Sequence, residues 1–388
     1  MLTGVLADAI VEAEKLIESA PHVRTEQDLR EGYDYLAGMV RQAIASAWSR
    51  DHEFPHFVRS ATPYTKVGLD NPDTLYFSAR IRDDAEYVVT GRRGTTADLS
   101  FQVLNGDYTP AEVPQSLSAF DDRELEIAAD GTFQLRFGPA GADAGANYFV
   151  LGPGAAMLLV REVFSDWTSR AGSIRIQRTD RIGRAPATPP EGLYDKRFAA
   201  AAKTLVAQLK TFLAFPEWFY LKLPANTMTE PRLTPGGLAT QYSSVGHYEL
   251  ADDRALVITV PVSDAPYQGF QLGSMWYLSM DFANHQTSLT AQQARHDPDA
   301  MIRFVVSERD PGLANWLECT GHPRGYLQLR WQRTSREFTA ADGPIVQEVA
   351  FDELASVLPH HPHGRISPGE WRERIAARQA SVADRMLG

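Results

Sequence analysis

The stretch GLDNPDTLYFSARIRDDAEYVVTGRRGTTADLSFQV (residues 68–103) lies without a gap on GLATQYSSVGHYELADDRALVITVPVSDAPYQGFQL (residues 237–272) when the chain is slid on itself by 169 residues. Eight of the 36 positions are identical: Gly68-Leu69 meets Gly237-Leu238, Asp83-Asp84 meets Asp252-Asp253, Val88 and Thr90 meet Val257 and Thr259, and Phe101-Gln102 meets Phe270-Gln271. The order of matches continues downstream. Asp130 falls on Asp299, each ahead of a strand-like run, Thr132 to Phe137 and Met301 to Val306. After a one-residue slip Asn147-Tyr148 meets Asn315-Trp316, and Arg161 and Arg330 then end matching apolar runs. A repeat this long is a duplicated domain rather than a solenoid. It also supplies a filter: a feature in both halves serves the fold, and a polar feature in one half is a candidate for function.

Outward from this core the texture is short apolar runs (Thr74 to Ile81, Tyr87 to Thr90, Asp98 to Leu104, Ala155 to Phe164) broken by Gly, Pro and Asp clusters, the pattern of an all-β sandwich. The expected fold is therefore mainly β with helical additions: two tandem related β-sandwich, jelly-roll-like domains with an N-terminal helical cap, a linker helix and a C-terminal helix. The boundaries read as a cap over 1–60, a first β-domain over 61–183, linker and helix over 184–232, a second β-domain over 233–350, and a helical segment over 351–388. In the cap, Thr25 with Asp28 makes a capping box ahead of a helix over 25–50. Ser367 and Pro368 open the last helix, with Trp371, Ile375, Val382 and Met386 on one stripe.

A formal net charge of -11 disfavours nucleic acid and anionic membrane surfaces as partners. The single cysteine, Cys319, excludes an intramolecular disulfide and a thiolate metal cluster and fits a reducing compartment. Residues 1–16 lack a signal peptide's basic start, and no run of about 18 uncharged apolar residues occurs, so a cytoplasmic location is expected. Gly-x-Gly-x-x-Gly, Walker and Gly-x-Ser-x-Gly motifs are absent from the sequence, so neither a nucleotide cofactor nor a standard hydrolase triad is expected.

Asp70-Asn71-Pro72-Asp73-Thr74-Leu75-Tyr76 resembles the Asn-x-Asp-Thr-x-Tyr signature of the bacterial domain of unknown function 1254. Asp130-Gly131-Thr132-Phe133 with Asn147-Tyr148, and Asp299 to Phe304 with Asn315-Trp316-Leu317, resemble the companion domain of unknown function 1214. Ala300 and Glu318 depart from the usual Gly and Pro of that pattern. The resemblance covers about residues 64–335. It implies β-sandwiches and oligomers, and no established reaction.

Five sets of polar and aromatic residues are candidates. Asn71, Asp73, Thr74 and Tyr76 are unduplicated. Asp73 would serve as general acid or base and Tyr76 as a hydrogen-bond donor, with an Asx-turn at Asn71-Pro72 as the plain alternative. The run Met275 to Phe282 reads as a strand with Trp276, Leu278, Met280 and Phe282 on one face and Tyr277, Ser279 and Asp281 on the other. Asp281 and His285 would then sit at the mouth of an apolar pocket lined by Trp276, Tyr277 and Trp316. His247, unduplicated on a strand, is the preferred acid–base histidine. Arg161 and Arg330 read first as structural forks, with Arg330 also able to hold a substrate oxygen. His360, His361 and His363 lack the spacing of a metal site, and no metal is expected.

These residues suggest a cofactor-free enzyme of lyase, hydratase, isomerase or hydrolase type, with acid–base groups acting on a small hydrophobic oxygenated molecule such as a terpenoid, steroid or aromatic. The alternative is a non-catalytic small-molecule or carbohydrate binding protein or assembly component, with exposed aromatics stacking on sugars. A homo-oligomer is expected in either case.

Overall fold

The computed structural model describes residues 2–106, 114–141, 145–234 and 241–387. Gly237, Leu238 and Thr240, used in the internal alignment, lie outside the described residues. The rest of that alignment can be tested strand by strand. In the first half the strands are β1 (Thr74–Arg80), β2 (Tyr87–Arg92), β3 (Asp98–Leu104), β4 (Ser116–Asp121), β5 (Thr132–Gly138), β6 (Tyr148–Val150), β7 (Met157–Val163) and β8 (Ser173–Arg178). In the second half they are β9 (Tyr242–Glu249), β10 (Arg254–Pro261), β11 (Tyr267–Ser274), β12 (Ser288–Thr290), β13 (Met301–Ser307), β14 (Trp316–Glu318), β15 (Arg324–Gln332) and β16 (Ile345–Ala350).

One sheet of the first half runs β1-β7-β3-β4 and the other β6-β5-β2-β8. Their counterparts run β9-β15-β11, with β12 also on β11, and β14-β13-β10-β16. The duplication extends to register. Val89 pairs with Leu135 across β2 and β5, and Ile258 with Phe304 across β10 and β13, both members displaced by 169. Each half carries a parallel pair at the corresponding place: Arg136 with Tyr148, and Val305 with Trp316. The protein is thus mainly β, with two tandem sandwich-like halves.

The chain divides into two compact units. The first comprises 1–67, 75–162 and 170–213; the second comprises Gly68–Thr74, Val163–Ser169 and Ala214–Gly388. Two short segments of the first half in sequence therefore belong to the second unit, which domain boundaries drawn along the chain do not capture. The first unit's core joins Phe101, Val103, Leu158 and Val160 of one sheet to Tyr87, Val89, Leu135 and Phe137 of the other. The second joins Phe270, Leu272, Leu327, Leu329 and Trp331 to Leu256, Ile258, Ile302, Phe304 and Val306. Alternate residues supply each set because successive strand side chains face opposite ways, and each fully buried large side chain contributes about 1.5–3 kcal/mol.

A paired asparagine device recurs in the two halves. Asn147 donates to Glu126 O at 2.9 Å and accepts from Glu126 N at 2.8 Å, while Ala128 N bonds Thr132 O. Asn315 donates to Arg295 O at 2.7 Å and accepts from Arg295 N at 2.8 Å, while Asp297 N bonds Met301 O. Each asparagine ties the segment before its hairpin strand to the sheet. Asn315 is 8 % exposed, so its two bonds lack water as a substitute. Asn315→Ala is expected to cost about 1–3 kcal/mol, measured by urea unfolding, and Asn147→Ala, at an exposed position, less.

The outer faces of the two four-stranded sheets differ. In the first unit Arg136 faces outward and pairs with Glu86 at 2.7 Å. In the second, Val305 stands in its place and clusters with Ala255, Val257 and Val349. Leu354 on α4 (Leu354–Val357) and Leu358 cover these valines. The chain continues through the single turn α5 (His361–Gly364), where Ala314 N bonds Gly364 O, into α6 (Pro368–Leu387). The expected cap at Ser367 is present: Glu370 N bonds Ser367 Oγ, and Ser367 N bonds the Glu370 carboxylate. Upstream, the helices α1 (Gly4–Glu18) and α2 (Glu26–Trp48) form the N-terminal cap, with the Thr25/Asp28 box closed in both directions.

The linker helix, α3 (Leu193–Phe219), meets the length and composition of a membrane span, with Lys203 and Lys210 as the charges within its apolar stretch. Between residues 198 and 215 only Ala199, Lys203 and Lys210 are exposed, and they share one stripe. Ala201, Ala202, Leu205 and Leu209 are buried, and Lys210 pairs with Glu12 at 2.8 Å. Both lysines thus lie on one exposed stripe of this helix.

Candidate functional site in the second unit

The segment Gly68–Thr74 opens on two left-handed residues, Gly68 at φ 66° and Leu69 at φ 50°. Leucine adopts this conformation only at a cost, and the position is held from both sides. Leu69 N bonds Tyr277 O at 2.6 Å, and Arg330 donates to Leu69 O at 2.8 Å. Tyr277 is itself left-handed, at φ 59°. Two bulky residues in the same rare conformation thus meet at Arg330, and such strain clusters where function needs it.

Next along the segment, the Asp70 carboxylate accepts from Ser279 N at 3.1 Å and Ser279 Oγ at 2.8 Å. Asn71 forms the Asx-turn anticipated for it, accepting from Asp73 N at 3.0 Å. Its other end donates to the Tyr267 hydroxyl at 2.9 Å, and that hydroxyl donates to Asp73 Oδ2 at 3.1 Å. Asn71, Asp73 and Tyr267 are 4 %, 3 % and 1 % exposed, so the proton shared by Tyr267 and Asp73 is out of contact with water. Tyr267 reaches this position by lying back along β11 over Gly269, where a Cβ would stand 2.2 Å from its hydroxyl.

Burial raises the Asp73 carboxyl above the usual carboxylate range, with Arg385, Arg378, the Tyr267 hydrogen bond and Arg330 all opposing it. Burial, and then the Asp73 charge, hold the Tyr267 hydroxyl well above its ordinary value. The Tyr220 hydroxyl is pushed up to about 12 by burial and donates to Gln328. Tyr277 lies with its hydroxyl 3.4 Å from that of Tyr220, and the rings of Tyr220, Tyr277 and Tyr326 meet edge-on at 5.0–5.6 Å. Burial thus keeps the hydroxyls of Tyr267, Tyr220 and Tyr277 protonated at neutral pH.

The duplication separates scaffold from site. Arg330 donates to Gln271, and Arg161 donates to Gln102 at 2.8 Å, so the Arg–Gln fork belongs to both halves. Around it the halves diverge. Leu104, Met157 and Leu159 cluster on this face in the first unit. Gly273, Tyr326 and Gln328 replace them in the second, and Tyr267 replaces Asp98. An apolar face has become a hydroxyl- and amide-lined one.

Of the sequence candidates, Asn71, Asp73, Tyr277 and Arg330 come together here. His247 is half-buried on β9 and donates from Nδ1 to Tyr220 O at 3.0 Å, beside the tyrosine group. Tyr76 lies on β1 in the first unit, half-buried. The strand expected over 275–282 is not formed. β11 ends at Ser274, a turn carries Trp276 and the left-handed Tyr277, and only Leu278–Ser279 is again extended. Residues 276–280 are all buried, so neither face meets solvent and alternation carried no information.

Asp281 is exposed and caps the turn at Ala283 and Asn284, whose donors lower its carboxyl against the effect of burial. His285 pairs with Glu318 at 2.9 Å. Trp316 is 7 % exposed, donates to Ser307 O and packs 5.1 Å from Trp371, so it is a seat for α6 rather than a pocket wall. His360 lies 3.8 Å from Asp299. Among the described residues no group of three or more His, Cys, Asp or Glu side chains is arranged to hold a metal.

Sequence reasoning missed Tyr267, Tyr220, Tyr326 and the two arginines of α6. Arg378 is 2 % exposed, donates to Phe282 O, Ser288 O and Ser288 Oγ, and lies 3.9 Å over Trp167. Arg385 donates to Pro72 O at 3.2 Å and lies 3.9 Å over Phe164. Tyr267 was open to detection, since the filter sets it against Asp98 as an unduplicated polar residue.

The first unit holds a separate cleft of about 930 Å³ on the β5-β2-β8 sheet, lined by Thr90, Arg92, Gln134, Asn147 and Arg175 among others. Its aromatic residue, Phe133, is 6 % exposed, so the cleft offers no ring for a sugar to stack on.

No protein-family profile matches the chain, and no curated protein matches it. Among solved structures it is similar to an uncharacterized protein from Burkholderia cenocepacia, at 28 % identity over 90 % of this chain and 96 % of that one, with a TM-score of 0.81. The VPA0106 protein from Vibrio parahaemolyticus matches at 11 % identity over 90 % of this chain and all of that one, with a TM-score of 0.47, too low to carry an argument.

Proposed function

We propose that the second unit is the working half of a cofactor-free acid–base enzyme acting on a small hydrophobic oxygenated molecule. The observation that carries this reading is the fully buried Asp73 carboxyl, 3.1 Å from the Tyr267 hydroxyl and within the field of three arginines. Burial raises the proton affinity of this carboxyl above the usual carboxylate range against the pull of its charged neighbours, which makes it a candidate general acid or base. Tyr267 would pass the proton on. Arg330 and the Tyr277 hydroxyl would hold a substrate carbonyl or hydroxyl oxygen, and the aromatic group of Tyr220, Tyr277 and Tyr326 would receive its apolar body. Addition–elimination and isomerisation need only such proton transfers.

We read the chain as a divergent relative of proteins carrying the domains of unknown function 1254 and 1214, on the motifs at Asn71 to Tyr76 and Asn315-Trp316. A cytoplasmic location is supported by the single, buried Cys319. A carbohydrate-binding role is the second reading, and the lack of an exposed aromatic ring in the first unit's cleft counts against it.

The test is a melting-shift screen against terpenoid, steroid, aromatic and sugar libraries, followed by turnover of the hits. Hydrophobic oxygenated ligands should stabilise the protein, and Asp73→Asn and Tyr267→Phe should each lower turnover by about 10²-fold or more. Stabilisation by sugars alone, or turnover unchanged in both variants, would overturn the proposal.

A further inference from the structure

We propose that Arg385, assisted by Arg378, sets the charge carried by Asp73, making α6 a positioning element for the site; this rests on the reading of Asp73 as its acid–base group. The geometry is specific. Arg385 donates to the carbonyl of Pro72, the residue before Asp73, and lies over Phe164, whose N–H bonds Asp73 O at 2.8 Å. Arg378 lies over Trp167 and bonds only carbonyl and hydroxyl oxygens; its Nε has no hydrogen-bond partner. The two residues are seven apart and so share one helix face.

Seating a guanidinium on an aromatic ring fixes its position without neutralising it. A fully desolvated cation bonded to neutral groups needs a counter-charge, and Asp73 supports the charged form of Arg378 most strongly among its neighbours. Both guanidinium charges favour the ionised carboxyl, against the burial that favours its neutral form. The other ionisable groups facing Asp73 are Tyr267 from β11 and Arg330 from β15, with Asp70 on its own segment. None of them comes from α6.

The test follows the carboxyl signal of Asp73 by 13C NMR through a pH titration of the full chain, assigned against Asp73→Asn. Arg385→Gln, which keeps a donor for Pro72 O and removes the charge, should raise the proton affinity of Asp73 about tenfold or more. Arg385→Lys should restore the wild-type midpoint. If Arg385→Gln does not fold, a chain ending at Asp384 should show the same rise. Equal midpoints in wild type, the Gln variant and the shortened chain would overturn the proposal, and so would a rise that Lys does not reverse. The titration is read without substrate, so failure here is distinct from failure of the proposed reaction.

Discussion

A chain ending at Ala350 is expected to lose the folded second unit while the first keeps its core. The truncation removes Leu354 and Leu358 from the face made by Ala255, Val257, Val305 and Val349. Those two leucines account for about 3–6 kcal/mol of burial. It also removes Trp371 from Trp316 and both arginines from Phe164 and Trp167. A domain is stable by only about 5–15 kcal/mol in all, and bare valines on an open sheet invite association. Near-ultraviolet circular dichroism and size exclusion would report the result. A monomeric truncated chain with the full-length spectrum would contradict it. The corresponding first-unit face carries the Arg136–Glu86 pair and needs no such cover.

Trp331→Ala should destabilise the second unit by about 3–5 kcal/mol. Trp331 is wholly buried in the sandwich core, edge-on to Phe338 at 5.3 Å. Truncation leaves a void that strands on either side, fixed by their ladders, cannot close. The indole N–H of Trp331 has no hydrogen-bond partner, so Trp331→Phe forfeits volume alone and should cost far less. Urea unfolding of the pair decides the matter: equal losses would mean that the polar edge, rather than the packing, carries the residue.

The duplicated frame was readable because strand pairing constrains both spacing and side-chain facing, so two copies of one fold keep a common offset. The Asn147 and Asn315 devices and the Arg–Gln forks stood out for the same reason. The site was less readable, for three physical causes. Residues 276–280 are buried on both sides, which erases the period of two from which a strand is inferred. Asp73 and Tyr267 are separated by some 190 residues and meet only through a short segment that belongs to the second unit. Arg378, buried, and Arg385, half-buried, share one stripe of α6 with the half-buried Trp371 and Ile375, although arginine ordinarily marks a solvated face. Met386, placed on that stripe by spacing, is exposed at 36 %.

The difference between the two outer sheet faces also has a consequence in time. Synthesis proceeds from the N-terminus at about 5–20 residues per second, and Leu354 and Leu358, which cover the second unit's valines, are made after all the strands of that sheet. Leu358 follows Val349 by only nine residues, so the completed face waits for its cover roughly 0.5–2 s at those rates. The first unit, with charge on the equivalent surface, has no such interval. The interval falls to the half that carries the candidate site, so that half is the one whose apolar face is open to association or to a chaperone during synthesis.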